Sequence, residues 1–303
     1  MKAPSAYRFL PPELAESLRR LSLTVRRPVH GPSQGLHRSP HYGASVEFAE
    51  YREYTPGDPI NLIDWSVYAR SDRYVVRRFI EETNLRAYVL LDTSESLAFR
   101  DEGPMTKMEY ACYLAAGLMY VLVNQSDTVG LMTFDHKIRD TFEPTGTFEG
   151  LRPMLQHLEG IKPTGRSDIE ACVHQAAGLM RSKSLVIVVS DLLQDAERIG
   201  RAIRHLYHDG HNLIVLHVVD RGEQQLSFAG VAELRELEIG ARMVVEIDEI
   251  RDAYRAAAER HVETLRLECA ECMADYYLVE TRTDMEEALN KLRFRAAAGV
   301  GTA

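Results

Sequence analysis

Short apolar runs alternate with helix patterns from residue 86 to the end of the chain, and this alternation constrains the fold more than any other feature. The runs SLVIVV at 184–189 and NLIVLHVV at 212–219 are continuous and β-branched, which is typical of strands buried on both faces. A segment of helical periodicity lies between them. Strands that alternate with helices in this way predict a doubly wound, mostly parallel, Rossmann-like α/β sheet covered by helices.

The first 85 residues lack this alternation and predict an N-terminal extension. Within it, Asp58-Pro59 has the form of a helix start, and we expect a short helix from there through Trp65. Because the block has too few apolar residues for a core of its own, we expect it to pack on the sheet domain with Trp65 buried. The predicted division of the chain is an extension at 1–85, the sheet domain at 86–296 and a tail at 297–303.

The composition is that of an ordinary globular protein, with 303 residues, 45% of them apolar and 27% charged. The formal net charge is −9 and is unevenly distributed. Residues 1–42 carry seven basic and two acidic side chains, so a basic arm precedes an acidic body. This balance argues against a nucleic-acid-binding protein, which would normally be basic.

The sequence predicts neither a membrane span nor a disulfide framework. Its longest uncharged apolar run, 110–123, is shorter than the ~20 residues that a bilayer requires. The N-terminus lacks the apolar stretch of a signal peptide, so we expect a cytoplasmic protein with reduced thiols. Cys269 and Cys272 form a C-x-x-C pair without a second pair at zinc-site spacing, and we expect buried thiols there.

Oxygen-bearing side chains follow two of the predicted strands and begin a helix. The segment DTSES places Asp92, Ser94 and Ser96 directly after the run RAYVLL, Asp191 follows SLVIVVS, and Ser167 begins a helix in GRSDIE. In doubly wound sheets, ligands bind beyond the carboxyl ends of the strands. Two carboxylates and three hydroxyls suit Mg²⁺ or Mn²⁺. Taken alone, D-x-S-x-S is a weak signal and is more typical of a capped loop with local hydrogen bonds. A second aspartate at the same crevice favours a cation, because paired carboxylates repel.

These motifs resemble a known family. The order DTSES, GRSD, VVSD is similar to the metal-ion-dependent adhesion site of von Willebrand factor A-like domains, and EFAEYREYTPGD, IDW and AR resemble the bacterial domain of unknown function 58. The resemblance covers roughly residues 36–296. It implies a von Willebrand factor A-like fold and a metal site formed by Asp92, Ser94, Ser96, Ser167 and Asp191. It also implies a partner, a MoxR-type AAA+ ATPase. The third-loop ligand is usually threonine in the family, and Thr164 lies close to Ser167.

The sequence therefore favours a non-enzymatic, Mg²⁺-dependent interaction module, an adaptor that works with a MoxR-type AAA+ ATPase in assembly or maturation of other proteins. A client protein would supply a carboxylate to the open coordination position. One alternative is a Mg²⁺-dependent phosphoryl-transfer enzyme with Asp92 as nucleophile, although Ser94 would be a poor general acid and no Walker loop is present. Another alternative is a structural domain with an unused metal site.

Overall fold

The structure is a computed structural model that describes residues 7–21, 23, 46–55, 58, 60, 63–81, 85–101, 103–235, 237 and 242–297. The chain divides into two compact units, one from Pro32 to Asn84 and the other comprising Met1–Gly31 with Leu85–Ala303. Helix α1 (Pro12–Leu18) thus belongs to the same unit as the sheet. The predicted boundary at residue 85 stays a prediction.

The smaller unit contains an antiparallel pair of strands, β1 (Val46–Glu53) and β2 (Val75–Glu81), with helix α2 (Trp65–Ser71) between them in sequence. Of the predicted helix from Asp58 through Trp65, residues 59, 61 and 62 lie outside the described residues, and the described Ile60 is in a 3₁₀ helix. Helix α2 begins at Trp65, where the predicted helix was expected to end. The buried Asp64 is the N-cap: its carboxylate accepts the backbone N–H groups of Ser66 and Val67 at 2.9 and 3.2 Å.

Trp65 occupies the first position of α2 and is 54% exposed. The prediction that it is buried in the core is therefore wrong. Its indole ring packs edge-on against Tyr68 of the same helix, with 6.1 Å between ring centroids. Trp65 thus packs against a residue of its own helix and not in an apolar core, and composition alone could not distinguish these two environments.

The larger unit is built on a six-stranded sheet of order β10-β7-β6-β3-β4-β5. Every neighbouring pair is parallel except β4 and β5, where β5 forms an antiparallel edge as predicted. The strands are β3 (Arg86–Asp92), β4 (Thr128–Phe134), β5 (Ile138–Thr145), β6 (Leu185–Ser190), β7 (Asn212–Val219) and β10 (Asp275–Glu280). The predicted α/β fold class with a mostly parallel sheet is confirmed.

Helices cover both faces of this sheet. Ala87, Val89 and Leu91 contribute to one apolar cluster while Tyr88 and Leu90 contribute to the other, because successive side chains of a strand point to opposite faces. The first cluster includes residues of α1, α3 (Lys107–Asn124), α4 (Phe148–Gly160) and α9 (Met285–Ala297). The second includes residues of α5 (Ile169–Leu179), α6 (Ala196–His208) and α8 (Ile247–Glu271). The sheet is therefore doubly wound.

Helix α3 is apolar on nearly all sides and lies in the core of the sheet unit. It begins at Lys107 because Thr106 and Glu109 form a capping box, in which each side chain accepts the other's backbone N–H. Within the described part of the chain, no helix is long and apolar enough to cross a membrane.

Two elements between β7 and α8 were not predicted from the sequence. These are α7 (Arg221–Gln225) and β8 (Val231–Arg235), which pairs antiparallel with β9 (Arg242–Glu246) as a separate two-stranded sheet. The five residues of α7 begin after Asp220, whose carboxylate accepts the backbone N–H of Gly222 at 2.9 Å. Both elements border the candidate site.

Candidate functional site

The two predicted aspartates lie at the ends of neighbouring strands. Asp92 is the last residue of β3, and Asp191 directly follows β6, which pairs with β3. The chain continues from β3 to β4 on one side and reaches β6 on the other, so the strand order reverses between β3 and β6. This reversal is where doubly wound sheets form a crevice, as the sequence predicted.

Asp92 is fully buried at the centre of a network of hydrogen bonds. Its Oδ1 accepts the backbone N–H of Ser94 at 2.9 Å. Its Oδ2 accepts the hydroxyls of Ser167 and Ser190 at 2.9 and 2.7 Å. The hydroxyl oxygens of Ser94 and Ser96 lie 3.1 Å apart. The structure therefore brings all three predicted hydroxyls beside the Asp92 loop, and it adds Ser190, which the sequence analysis missed although it precedes Asp191.

Backbone hydrogen bonds fasten the loop after β3 to the loop before α5. The N–H of Glu95 donates to the carbonyl of Gly165 at 2.9 Å, and the N–H of Thr164 donates to the carbonyl of Thr93 at 2.8 Å. Gly165 has φ of +74°, and a Cβ there would come within 3.1 Å of the Asp135 carboxylate. Glycine is therefore required for the turn that holds Ser167 against Asp92.

Burial, together with the negative charge of Asp191, raises the pKa of Asp92 to about 7, although hydrogen bonds from Ser190 and Ser94 partly offset the increase. An ordinary aspartate carries its full charge well below this pH. A cation bound beside Asp92 would favour its ionised form. A positive charge bound at this site would therefore be stabilising.

Lys107 supplies positive charge to the site and was not predicted. Its fully buried ammonium lies 2.9 Å from Oδ2 of Asp191 and 2.7 Å from Oε2 of Glu223 in α7. Burial lowers the pKa of Lys107, but the two carboxylates more than offset this, so its pKa is raised and the lysine stays charged. The available signal was a single lysine at the start of an apolar helix, KMEYACYLAAGLMYVLVN.

Two histidines contact the backbone of the turn that carries Asp191. His217 makes a hydrogen bond with the backbone of Asp191, and its Nδ1 lies 2.6 Å from the hydroxyl oxygen of Tyr276. Burial lowers the pKa of His217 to about 3, so the ring is neutral. Nε2 of His261 lies 2.7 Å from the carbonyl oxygen of Leu192. Leu192 has φ of 49°, an uncommon left-handed conformation for a residue other than glycine. The turn is therefore fixed by its surroundings and not by local preference.

A crevice of about 270 Å³ opens above these residues. Ser96, Ser167, Asp191 and Glu223 contribute polar groups, and the apolar part is formed mainly by Phe99, Leu193, Leu226, Phe228, Leu234 and Tyr254. Asp92 and Ser94 are fully buried and do not line the crevice, whereas Ser96 and Asp191 line it and are 7% and 2% exposed.

The predicted metal ligands are two carboxylates and three hydroxyls, and none of them is a histidine or a cysteine. Among the described residues, no group of three or more His, Cys, Asp or Glu is arranged to hold a metal ion. A divalent ion would therefore depend on two carboxylates and on hydroxyls, a set of hard donors that fits Mg²⁺ or Mn²⁺ better than Zn²⁺. Cys269 and Cys272 are buried free thiols as predicted, and burial raises the pKa of each.

The chain is similar to known proteins in both sequence and fold. The family model described as "Protein of unknown function DUF58" matches residues 50–264. The uncharacterised proteins Mb1516 of Mycobacterium bovis and Rv1480 of Mycobacterium tuberculosis H37Rv are each 26% identical over 290 residues, which cover 94% of this chain and 90% of each relative.

Among solved structures, an aerotolerance-related membrane protein from Bacteroides fragilis has a TM-score of 0.50 and 19% identity, covering 71% of this chain and 100% of that chain. The VWA domain of SpRpn10 has a TM-score of 0.42 and 14% identity, covering 73% of this chain and 100% of that chain. At these identities the similarity concerns the fold alone.

Proposed function

This chain belongs to the DUF58 family of proteins of unknown function. From this premise we propose that it has a von Willebrand factor A-like fold and is a divalent-metal-dependent protein-interaction module without enzymatic activity. One observation carries the proposal. Two aspartates at adjacent strand ends and three serine hydroxyls lie close together, and three of these residues, Ser96, Ser167 and Asp191, line one crevice. The pKa of Asp92 is raised to about 7, which fits a site where a cation would be stabilising.

The proposed ion is Mg²⁺ or Mn²⁺, held by the hydroxyls of Ser94, Ser96 and Ser167 and, mostly through water, by Asp92 and Asp191. Bound there, the ion would supply positive charge and an open coordination position for a carboxylate from another protein. Ser190 would keep Asp92 oriented through its 2.7 Å hydrogen bond. Lys107 would keep Asp191 oriented, and its single positive charge would offset one of the two negative charges of Asp191 and Glu223.

The proposed partner is a MoxR-type AAA+ ATPase, with which the protein would act as an adaptor in assembly or maturation of other proteins. The support is the resemblance of the DTSES, GRSD, VVSD and EFAEYREYTPGD motifs. The cytoplasmic location stays a prediction.

Nothing in the described residues favours the phosphoryl-transfer alternative. Asp92 is fully buried and both of its oxygens accept hydrogen bonds, which is a poor arrangement for a nucleophile that must reach a substrate.

Affinity capture with a MoxR-type ATPase tests the proposal. Wild-type protein should recover the ATPase in Mg²⁺, and recovery should fall when EDTA is added or when Asp92→Asn or Asp191→Asn replaces the wild type. Asp140→Asn is the matched control, because Asp140 is an exposed aspartate on β5 outside the site. Equal recovery from all samples would contradict metal-dependent partner binding.

A further inference from the structure

The crevice above the candidate metal site has an apolar side that the metal does not require. Leu193 and Phe228 line it and remain 55% and 39% exposed. Large apolar side chains at the surface are common singly, but here several line one concave site beside Ser96, Ser167 and Asp191. Clustered exposed apolar surface next to polar groups is typical of an interaction site.

The separate hairpin of β8 and β9 extends this apolar surface. Leu234 lines the crevice, and its register partner is Met243, while Ala232 is opposite Val245. Directly opposite residues of an antiparallel pair share a face, so these four side chains form one apolar face. Met243 on this face is 63% exposed. A lone hairpin is only marginally stable in water, so an uncovered apolar face on one favours a partner.

The charges of the crevice indicate which partner fits. Asp191 and Glu223 are its charged lining residues in the described part of the chain, and both pair with Lys107. A divalent ion at the floor would bring the total charge of Asp92, Asp191, Glu223, Lys107 and the ion to about zero. The ion would therefore attract a carboxylate through its open coordination position and not through a net positive charge. The complementary partner carries a carboxylate beside a bulky apolar group.

Gln194 supplies a second recognition element. It lines the crevice, its carbonyl oxygen accepts the N–H of Ile169 at 3.3 Å, and its buried Nε2 has no hydrogen-bond partner among the described residues. A buried donor without an acceptor is costly, and rotation of the Gln194 side-chain amide into the crevice would let a backbone carbonyl of a bound peptide accept its hydrogen bond. The volume of about 270 Å³ is large enough to receive a side chain of a bound peptide.

We infer that this crevice binds a protein segment in which an aspartate or glutamate is flanked by a bulky apolar residue, with the apolar side chain against Leu193 and Phe228. The inference rests on the proposed function, because the ion is expected to bind the carboxylate. It adds the apolar flank, which would distinguish one acidic segment from another.

Fluorescence anisotropy with labelled synthetic peptides tests the inference on the full chain. The peptides share Gly-Ser ends and differ at their centres, which are Phe-Asp-Phe, Ser-Asp-Ser and Phe-Asn-Phe. In Mg²⁺ we expect Phe-Asp-Phe to bind best, and replacement of its phenylalanines by serine should weaken binding by about tenfold to a hundredfold. Leu193→Ser should weaken Phe-Asp-Phe by about tenfold and leave Ser-Asp-Ser unchanged. Leu267→Ser, at a leucine 58% exposed on α8, is the matched control and should change neither.

The outcomes separate this inference from the proposed function. Mg²⁺-dependent binding with equal affinity for the Phe and Ser peptides would overturn the apolar flank and leave the metal-dependent module intact. Binding that prefers the Phe peptides, is unchanged by EDTA and is equal for the Asp and Asn peptides would overturn both the inference and the proposed function. Self-association of the wild type that Leu193→Ser abolishes, measured by sedimentation velocity, would make the occupant a second copy and overturn the inference. Binding of no peptide would also overturn it, while calorimetry with Mg²⁺ would report separately on the metal site.

Discussion

Replacement of Lys107 by methionine should destabilise the fold strongly. The substitution keeps most of the side-chain volume but leaves Asp191 and Glu223 without the ammonium that lies 2.9 and 2.7 Å from their oxygens. Removal of one partner from a buried ion pair costs about 3–5 kcal/mol. For a domain of about 150–250 residues, each kcal/mol lowers Tm by about 2–4 °C. We therefore expect Tm to fall by about 6–20 °C.

Thermal melts followed by circular dichroism in EDTA measure this effect. Lys291→Met is the matched control, because Lys291 pairs with Glu287 at the surface with side chains 62% and 59% exposed, and exposed pairs contribute little. Adding Glu223→Gln to Lys107→Met should restore part of the lost Tm, since it removes one of the two unpaired charges. Mg²⁺ should stabilise Lys107→Met more than the wild type. A fall in Tm no larger than that of Lys291→Met would refute the electrostatic reasoning.

Three further predictions follow from particular residues. Gly130→Ala should cost about 1–3 kcal/mol in chemical denaturation, because a Cβ there would lie 2.7 Å from the carbonyl oxygen of Phe142; no loss would contradict this close approach. Burial lowers the pKa of His217 from 6.5 to about 3, so only the unfolded chain gains a proton as pH falls below about 6.5. The stability that neutral His217 contributes is fully present above that pH and is lost as the pH falls toward 3. His217→Gln should therefore make Tm less dependent on pH over this range. Parallel pH profiles of Tm for the wild type and the variant would contradict this prediction. Iodide should quench the fluorescence of native Trp65, which is 54% exposed, whereas quenching only after unfolding would indicate burial.

The sheet could be predicted because a strand buried on both faces is recognisable in the sequence as a continuous apolar run. The runs 184–189 and 212–219 are continuous and β-branched, and both are strands close to the expected bounds. The hairpin of β8 and β9 could not be predicted as a pair, because VAELR and RMVVE contain charged residues and only one face of the pair is apolar.

The candidate site could be predicted in part for a similar reason. Asp92 and Asp191 directly follow strands that pair, and the carboxyl ends of parallel strands meet at one edge of the sheet. The contact between Lys107 and Glu223 joins residues 116 positions apart, through a short helix that has little sequence signal. Such a contact depends on the packing of α7, which periodicity does not specify.

Isothermal titration calorimetry with Mg²⁺ tests the central claim most directly. We predict that wild-type protein and Asp140→Asn bind the ion alike and that Asp92→Asn does not bind it. Ser96→Ala should bind more weakly than the wild type but lose less than Asp92→Asn, because water can replace a neutral ligand. Asp92→Asn should keep a cooperative thermal transition, since the amide retains the shape of the buried carboxylate. Unchanged Mg²⁺ affinity in folded Asp92→Asn, or no binding by the wild type, would contradict a metal site at the end of β3.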